Sequence, residues 1–208
     1  RAGQSLVEYA PDLLHRVEII RVGRTNVERS RDLIDLGERA LNCSISVGDE
    51  LAAEAEGSFA MAQVLCHDAC VQGKVLETHV GPERVRIDVS LPSIREAVLQ
   101  DLAPRFFPPA REFATGNRLR REGRAPYLHL LRWLSETPEG ALDTREAIAA
   151  HPELKGSVAQ VIEKGHLSTL IDATDPVRDL IHFDKQAGLL TTEDPKFLYF
   201  TRHIIWSN

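Results

Sequence analysis

Cys66, His67 and Cys70 are the residues of this 208-residue chain that first suggest chemistry, since thiol and imidazole ligands at short spacing can hold zinc. On a helix, positions 66 and 70 share a face while His67 points about 100° away. No fourth ligand follows at the spacing a zinc finger needs. Core packing, with the thiols acting as small hydrophobes, is the reading these positions support. His15, His79, His129, His151, His166, His182 and His203 are scattered, and none has a serine or cysteine elbow beside it. Gly73-Lys74 lacks both the upstream glycine and the following hydroxyl of a phosphate-cradling loop. Asp49-Glu50 follows no buried apolar strand and reads as a helix start. No catalytic motif is legible, and the chain alone is expected to hydrolyse no nucleotide.

Positive charge gathers at Arg118, Arg120, Arg121 and Arg124, with Glu122 among them. Such a run can touch phosphates through charge alone, lie solvated in a linker, or pair with acids of a neighbouring subunit. Lys164 and Gln160 are the residues of the stretch 158–171 able to read a base edge, and Glu163 sits beside Lys164. That favours a protein-facing surface over sequence recognition. Lys185, in a predicted turn, is a further candidate contact.

These residues need elements to position them. Residues 17–22 (Val17, Ile19, Ile20, Val22) suit a strand buried on both faces, as in a parallel sheet. Thr25-Asn26-Val27-Glu28 has capping-box spacing, Leu33, Leu36, Ala40 and Leu41 recur at helical intervals, and Asn42 is a fair stop. Ser46-Val47-Gly48-Asp49 opens a second helix that Gly57 closes. Ser58 caps a third, whose apolar arc is wide enough to predict burial all round, and Gly73 ends it. Val85, Ile87 and Val89 alternate with charged residues, as in an edge strand or an extended linker. Ser93-Ile94-Arg95-Glu96 is another capping box, and its helix is expected to end at Pro104.

A bundle of about four helices over residues 25–103 follows from these signals, then a proline- and charge-rich linker over 104–126. From Tyr127 a new unit begins: a helix over 127–136, a second over 145–150 capped by Asp143 or Thr144, and a third over 158–171 capped by Ser157 and bent at Gly165. Two short strands around Lys185-Gln186-Ala187-Gly188 read as a hairpin, and Asp194-Pro195 starts a closing helix. Three helices and then a hairpin is the order of a winged-helix domain over 127–208. The fold class expected is mainly α: a helical bundle followed by a winged helix, with one strand left from an α/β core.

Composition agrees with a globular protein, 43% apolar and 27% charged. No run of about 18 apolar residues is present, so no membrane span is expected. Three cysteines are too few for a disulfide scaffold, which favours a cytoplasmic setting. The net charge of −6 falls in the first half, and neither half has the basic excess of a dedicated nucleic-acid binder. The chain opens on Arg1 without a secretory leader, inside what reads as structured sequence, so a fragment or processed product is expected.

The segments Ala10-Pro11-Asp12-Leu13-Leu14-His15-Arg16-Val17-Glu18-Ile19-Ile20-Arg21-Val22, Asp32-Leu33-Ile34-Asp35-Leu36-Gly37-Glu38-Arg39-Ala40-Leu41 and Glu56-Gly57-Ser58-Phe59-Ala60-Met61-Ala62-Gln63-Val64-Leu65 are similar to the end of the core and the lid helices of AAA+ ATPases. The tail Leu189-Leu190-Thr191-Thr192-Glu193-Asp194-Pro195-Lys196-Phe197 resembles the end of a winged helix in related bacterial proteins. The whole order resembles the C-terminal part of an origin-recognition-like or STAND ATPase, as in bacterial defence and transposition proteins. The resemblance implies ATP and magnesium held by a core outside this chain, assembly into homo-oligomers, and a protein partner or nucleic acid as the effector. It implies Arg16 as an arginine finger, although pairing with Asp12 or Glu18 explains that residue equally. It also implies Gly57 and Ser58 on the nucleotide side of the lid, where the arginine such lids usually offer is missing from residues 57–63.

Overall fold

The computed structural model describes residues 25–116 and 125–204. The strand expected at residues 17–22, the finger candidate Arg16 and the run Arg118, Arg120, Arg121 and Arg124 lie outside the described residues. Within them the chain is mainly helical, with ten helices and five three-residue strands.

Local signals set most of the first half. Helix α1 (Val27–Leu41) begins at Asn26, whose side-chain oxygen accepts from the Arg29 amide at 3.0 Å, and stops at a left-handed Asn42 (φ 52°). The cap is therefore one residue later than the Thr25 box predicts, because Thr25 is engaged elsewhere: its amide donates to the Gly57 carbonyl at 2.9 Å. Strand β1 (Cys43–Ile45) follows, then α2 (Gly48–Glu54) and α3 (Phe59–Gln72), which Ser58 caps through the Met61 amide. Helix α3 buries Met61, Ala62, Leu65, Ala69 and Cys70, but Phe59 and Val71 near its two ends are exposed, so it is not enclosed all round. The alternating run is strand β2 (Val85–Ile87), and it pairs in parallel with β1, Cys43 beside Val85 and Ile45 beside Ile87. Helices α2 and α3 make the crossover that a parallel pair requires.

Helix α4 (Leu91–Thr115) overturns two expectations. Its N-cap is Ser90, not Ser93, and it does not end at Pro104 but runs 25 residues through Pro104, Pro108 and Pro109. The missing amides free the carbonyls of Gln100, Pro104 and Arg105, and all three residues are exposed, so water can satisfy them. On the opposite face Phe106, Ala110 and Phe113 are completely buried. Each phenylalanine buried there contributes roughly 1.5–3 kcal/mol, which keeps the helix going where its backbone is weakest.

The second half runs α5 (Pro126–Glu136), β3 (Ala141–Asp143), α6 (Thr144–Ala150), α7 (Lys155–Glu163), α8 (His166–Ala173), α9 (Asp175–Arg178), β4 (His182–Asp184), β5 (Leu189–Thr191) and α10 (Pro195–His203). The β4–β5 hairpin is joined by β3 into an antiparallel sheet of order β3-β5-β4, with Thr191 between Ala141 and His182. Asp143 caps α6 and Asp194 caps α10. The helix predicted over 158–171 is two helices. Gly165, left-handed at φ 72°, separates α7 from α8, and Ser157 is not a cap, since its hydroxyl donates back to the Leu154 carbonyl at 3.0 Å.

Two hydrophobic cores result. One gathers Ile34, Leu51, Met61, Leu65, Ile87, Ile94 and Val98; the other gathers Phe106, Phe113, Leu130, Leu134, Leu167, Leu190 and Phe197. Helix α4 serves both, and its Leu99 and Leu102 pack against each. Phe106 meets Phe197 edge-on with ring centroids 5.6 Å apart, which docks α10 against α4. Tyr199 of α10 reaches across into the first core.

Candidate functional site

Along α10, Tyr199, Arg202 and His203 stand at i, i+3 and i+4, which puts all three on one face. That face meets the end of α2. Glu54 is the last residue of α2, where the negative end of the helix disfavours a carboxylate. Three donors from elsewhere in the fold offset this. Arg95 of α4 grips the carboxylate with both ends of its fork, Nε to Oε1 at 2.7 Å and Nη2 to Oε2 at 2.8 Å. The Tyr199 hydroxyl donates to Oε1 at 3.0 Å, and His203 Nε2 lies 3.3 Å from the same oxygen. Beside this group Arg202 donates through Nε to the Ser135 carbonyl at 2.8 Å and through Nη2 to the Thr137 carbonyl at 3.1 Å, and its Nη1 pairs with Glu56. The last turn of α5 and the turn after α2 are thus tied together through one side chain.

The electrostatics follow from these contacts. Burial pushes the Glu54 carboxyl up, but the bonds from His203, Arg95 and Tyr199 outweigh it and hold the group well below the usual carboxylate range. Burial, then the Glu54 charge, pushes the Tyr199 phenol up, and the bond to Glu54 raises the Arg95 guanidinium. Acid, phenol and guanidinium are therefore fixed as anion, neutral donor and cation near neutral pH. The arrangement clasps two halves of the chain.

A second cluster lies on α5. His151 stacks on Trp133 with ring centroids 4.7 Å apart and 10° between planes, and the His129 ring lies 6.1 Å from Trp133, tilted by 34°. Burial first, then Arg132 and His151, push the His129 imidazole down, and its buried Nε2 has no hydrogen-bond partner among the described residues. A groove of about 500 Å³ runs past Ala60, Arg105, Asp179, His182, Glu193, Asp194 and Lys196. Acids and bases interleave along it, and Arg105 is already paired with Asp194 at 3.2 Å, so no single charge type lines it.

The residues singled out in the sequence fall mostly apart from this junction. Gly57 (φ 76°) packs its backbone closely against Thr25, and Ser58 is buried with its hydroxyl accepting from the Met61 amide as the α3 cap. Lys164 is exposed at the end of α7 and Lys185 at the hairpin turn. Cys43 and Cys70 are buried and Cys66 is half-buried; burial pushes all three thiols up, Cys66 to about 12, while His67 is exposed. Among the described residues no group of three or more His, Cys, Asp or Glu side chains is arranged to hold a metal ion. Glu54, Arg95, Tyr199 and Arg202 carried no sequence signal of their meeting. The available hint was three polar positions at helical spacing on a closing helix otherwise full of aromatics.

No protein-family model, curated protein or solved structure matches the chain. No helix among the described residues is long and apolar enough to cross a membrane.

Proposed function

We propose that this chain is the lid and winged-helix part of an AAA+ or STAND-type ATPase, a regulatory and oligomerising module that passes nucleotide state to a protein partner or effector, as in bacterial defence. The observation that carries the reading is the order of the second half: helix, strand, four helical segments, then a hairpin whose second strand lies between the first strand and its own partner. That arrangement follows a small helical bundle without a break in α4. ATP and magnesium would be held by a core outside this chain. The winged helix would face protein: the exposed residues of α7 mix Lys155, Gln160, Glu163 and Lys164 and present no basic stripe.

The test is to read the sequence that precedes Arg1 in its gene and assay the longer protein. A phosphate-cradling loop upstream, together with nucleotide-dependent protection of α2 and α10 in hydrogen exchange, is the expected result. An unrelated upstream domain would remove the proposal. The alternative, a nucleic-acid-binding module of an initiator or transposition ATPase, draws on Lys185 at the exposed hairpin turn. It requires duplex binding that weakens steeply as salt rises, whereas a protein interface responds far less.

A further inference from the structure

His203 differs from the other members of the junction because both of its ring nitrogens meet oxygens that only accept. Nε2 lies 3.3 Å from Oε1 of Glu54, and Nδ1 lies 3.0 Å from the Tyr199 backbone carbonyl. A neutral imidazole carries one N–H, so it serves one of these oxygens and turns a lone pair toward the other. The imidazolium carries two and serves both. We infer that the protonated form of His203 is the one that closes the junction, so that a proton latches α10, and the half of the chain it belongs to, onto the helical bundle.

The surroundings leave this as the junction's own variable. Glu54, at the end of α2, stays ionised and Arg95, from α4, stays charged. Tyr199, one turn back on α10, keeps its proton. The neighbouring Arg202 is committed to Glu56 and to two carbonyls at the end of α5. Between about pH 5 and 8 an imidazole is the side chain whose ordinary titration changes its charge. The imidazole also packs on the Tyr199 ring, centroids 4.3 Å apart.

The experiment is hydrogen exchange on the whole chain at pH 5.5, 7.0 and 8.5, each amide corrected for its intrinsic rate. Opening of the α10 amides, taken relative to those of α3, is expected to rise about tenfold from pH 5.5 to 8.5, the equivalent of one charge-assisted hydrogen bond. In His203→Gln that dependence should vanish. A wild-type ratio that stays level, or a His203→Gln variant that keeps the slope, overturns the inference. A double-mutant cycle with Glu54→Gln gives a second reading, because the coupling between the two side chains must be larger at pH 5.5 than at 8.5. Should Glu54→Gln fail to fold, the exchange comparison of wild type with His203→Gln still decides.

Discussion

The Tyr199 hydroxyl donates to the Glu54 carboxylate at 3.0 Å across 145 positions of sequence. The bond joins the closing helix to the second helix, and Arg95 and His203 converge on the same carboxylate. Tyr199→Phe keeps the ring in the first core and deletes only the donor, so the expected loss is about 1–2 kcal/mol in urea unfolding. Glu54→Gln strands the Arg95 guanidinium and should cost about 3 kcal/mol, the larger effect of the two. The folded carboxyl is held below its unfolded range, so its contribution is complete above that range, declines as pH falls below it and is gone once pH passes the lower, folded value. Between about pH 5 and 3 the wild type should therefore lose more stability than Glu54→Gln. Equal losses would mean that the carboxylate is not anchored as described.

Gly57 and Gly165 separate two costs of adding a Cβ. Both are left-handed, at φ 76° and 72°. At Gly57 the new atom would sit 1.8 Å from the Thr25 carbonyl oxygen, whereas at Gly165 it would meet nothing within 4 Å. Gly165→Ala should cost about 1 kcal/mol, the backbone preference alone. Gly57→Ala should cost about 3 kcal/mol or more, because the strand of chain entering α1 must move. Thermal midpoints of the two variants, compared directly, give the answer.

What the sequence made legible was short-range. Ser58, Asn42, Asp143 and Asp194 act within three residues of themselves, and each stands where its type predicts. The β1–β2 pair was half visible: Val85 and Ile87 alternate with arginines, but Cys43–Ile45 is too short for any period to emerge. Helix α4 was misjudged at Pro104 because a proline's local penalty is written in the chain, while the burial of Phe106 and Phe113 that overrides it belongs to the second core. The junction was invisible for the same reason. Glu54, Arg95 and Tyr199 are ordinary helix residues until three helices bring them together.

Pro108 offers a direct check of that account of α4. It is exposed, and its missing amide leaves the Pro104 carbonyl without a helical partner. Pro108→Ala restores the donor and touches no buried contact, so stability should rise by about 1 kcal/mol, the helix gain being partly offset by a freer unfolded chain. Pro109→Ala, at a buried position, should gain less because packing is lost with the ring. A rise in urea midpoint for the first variant and not the second supports helix continuity held by the aromatic face. The reverse order would refute that account of α4.

His129 gives the whole chain a pH dependence of its own, which is why local exchange and not global unfolding tests the latch. Burial, Arg132 and His151 all disfavour its charged form in the folded chain. In the unfolded chain an imidazole takes up its proton near pH 6.5. The folded pKa lies below the unfolded one, so the contribution is complete above about pH 7 and declines as acid protonates the unfolded state first. His129→Phe keeps a ring beside Trp133 and removes a buried nitrogen that has no partner among the described residues. The variant should be close to wild type in stability at pH 8, and its stability should fall less between pH 7 and 5. Urea unfolding at the three pH values, followed by tryptophan fluorescence, measures this. Parallel curves for variant and wild type would show that His129 exchanges its proton as freely folded as unfolded.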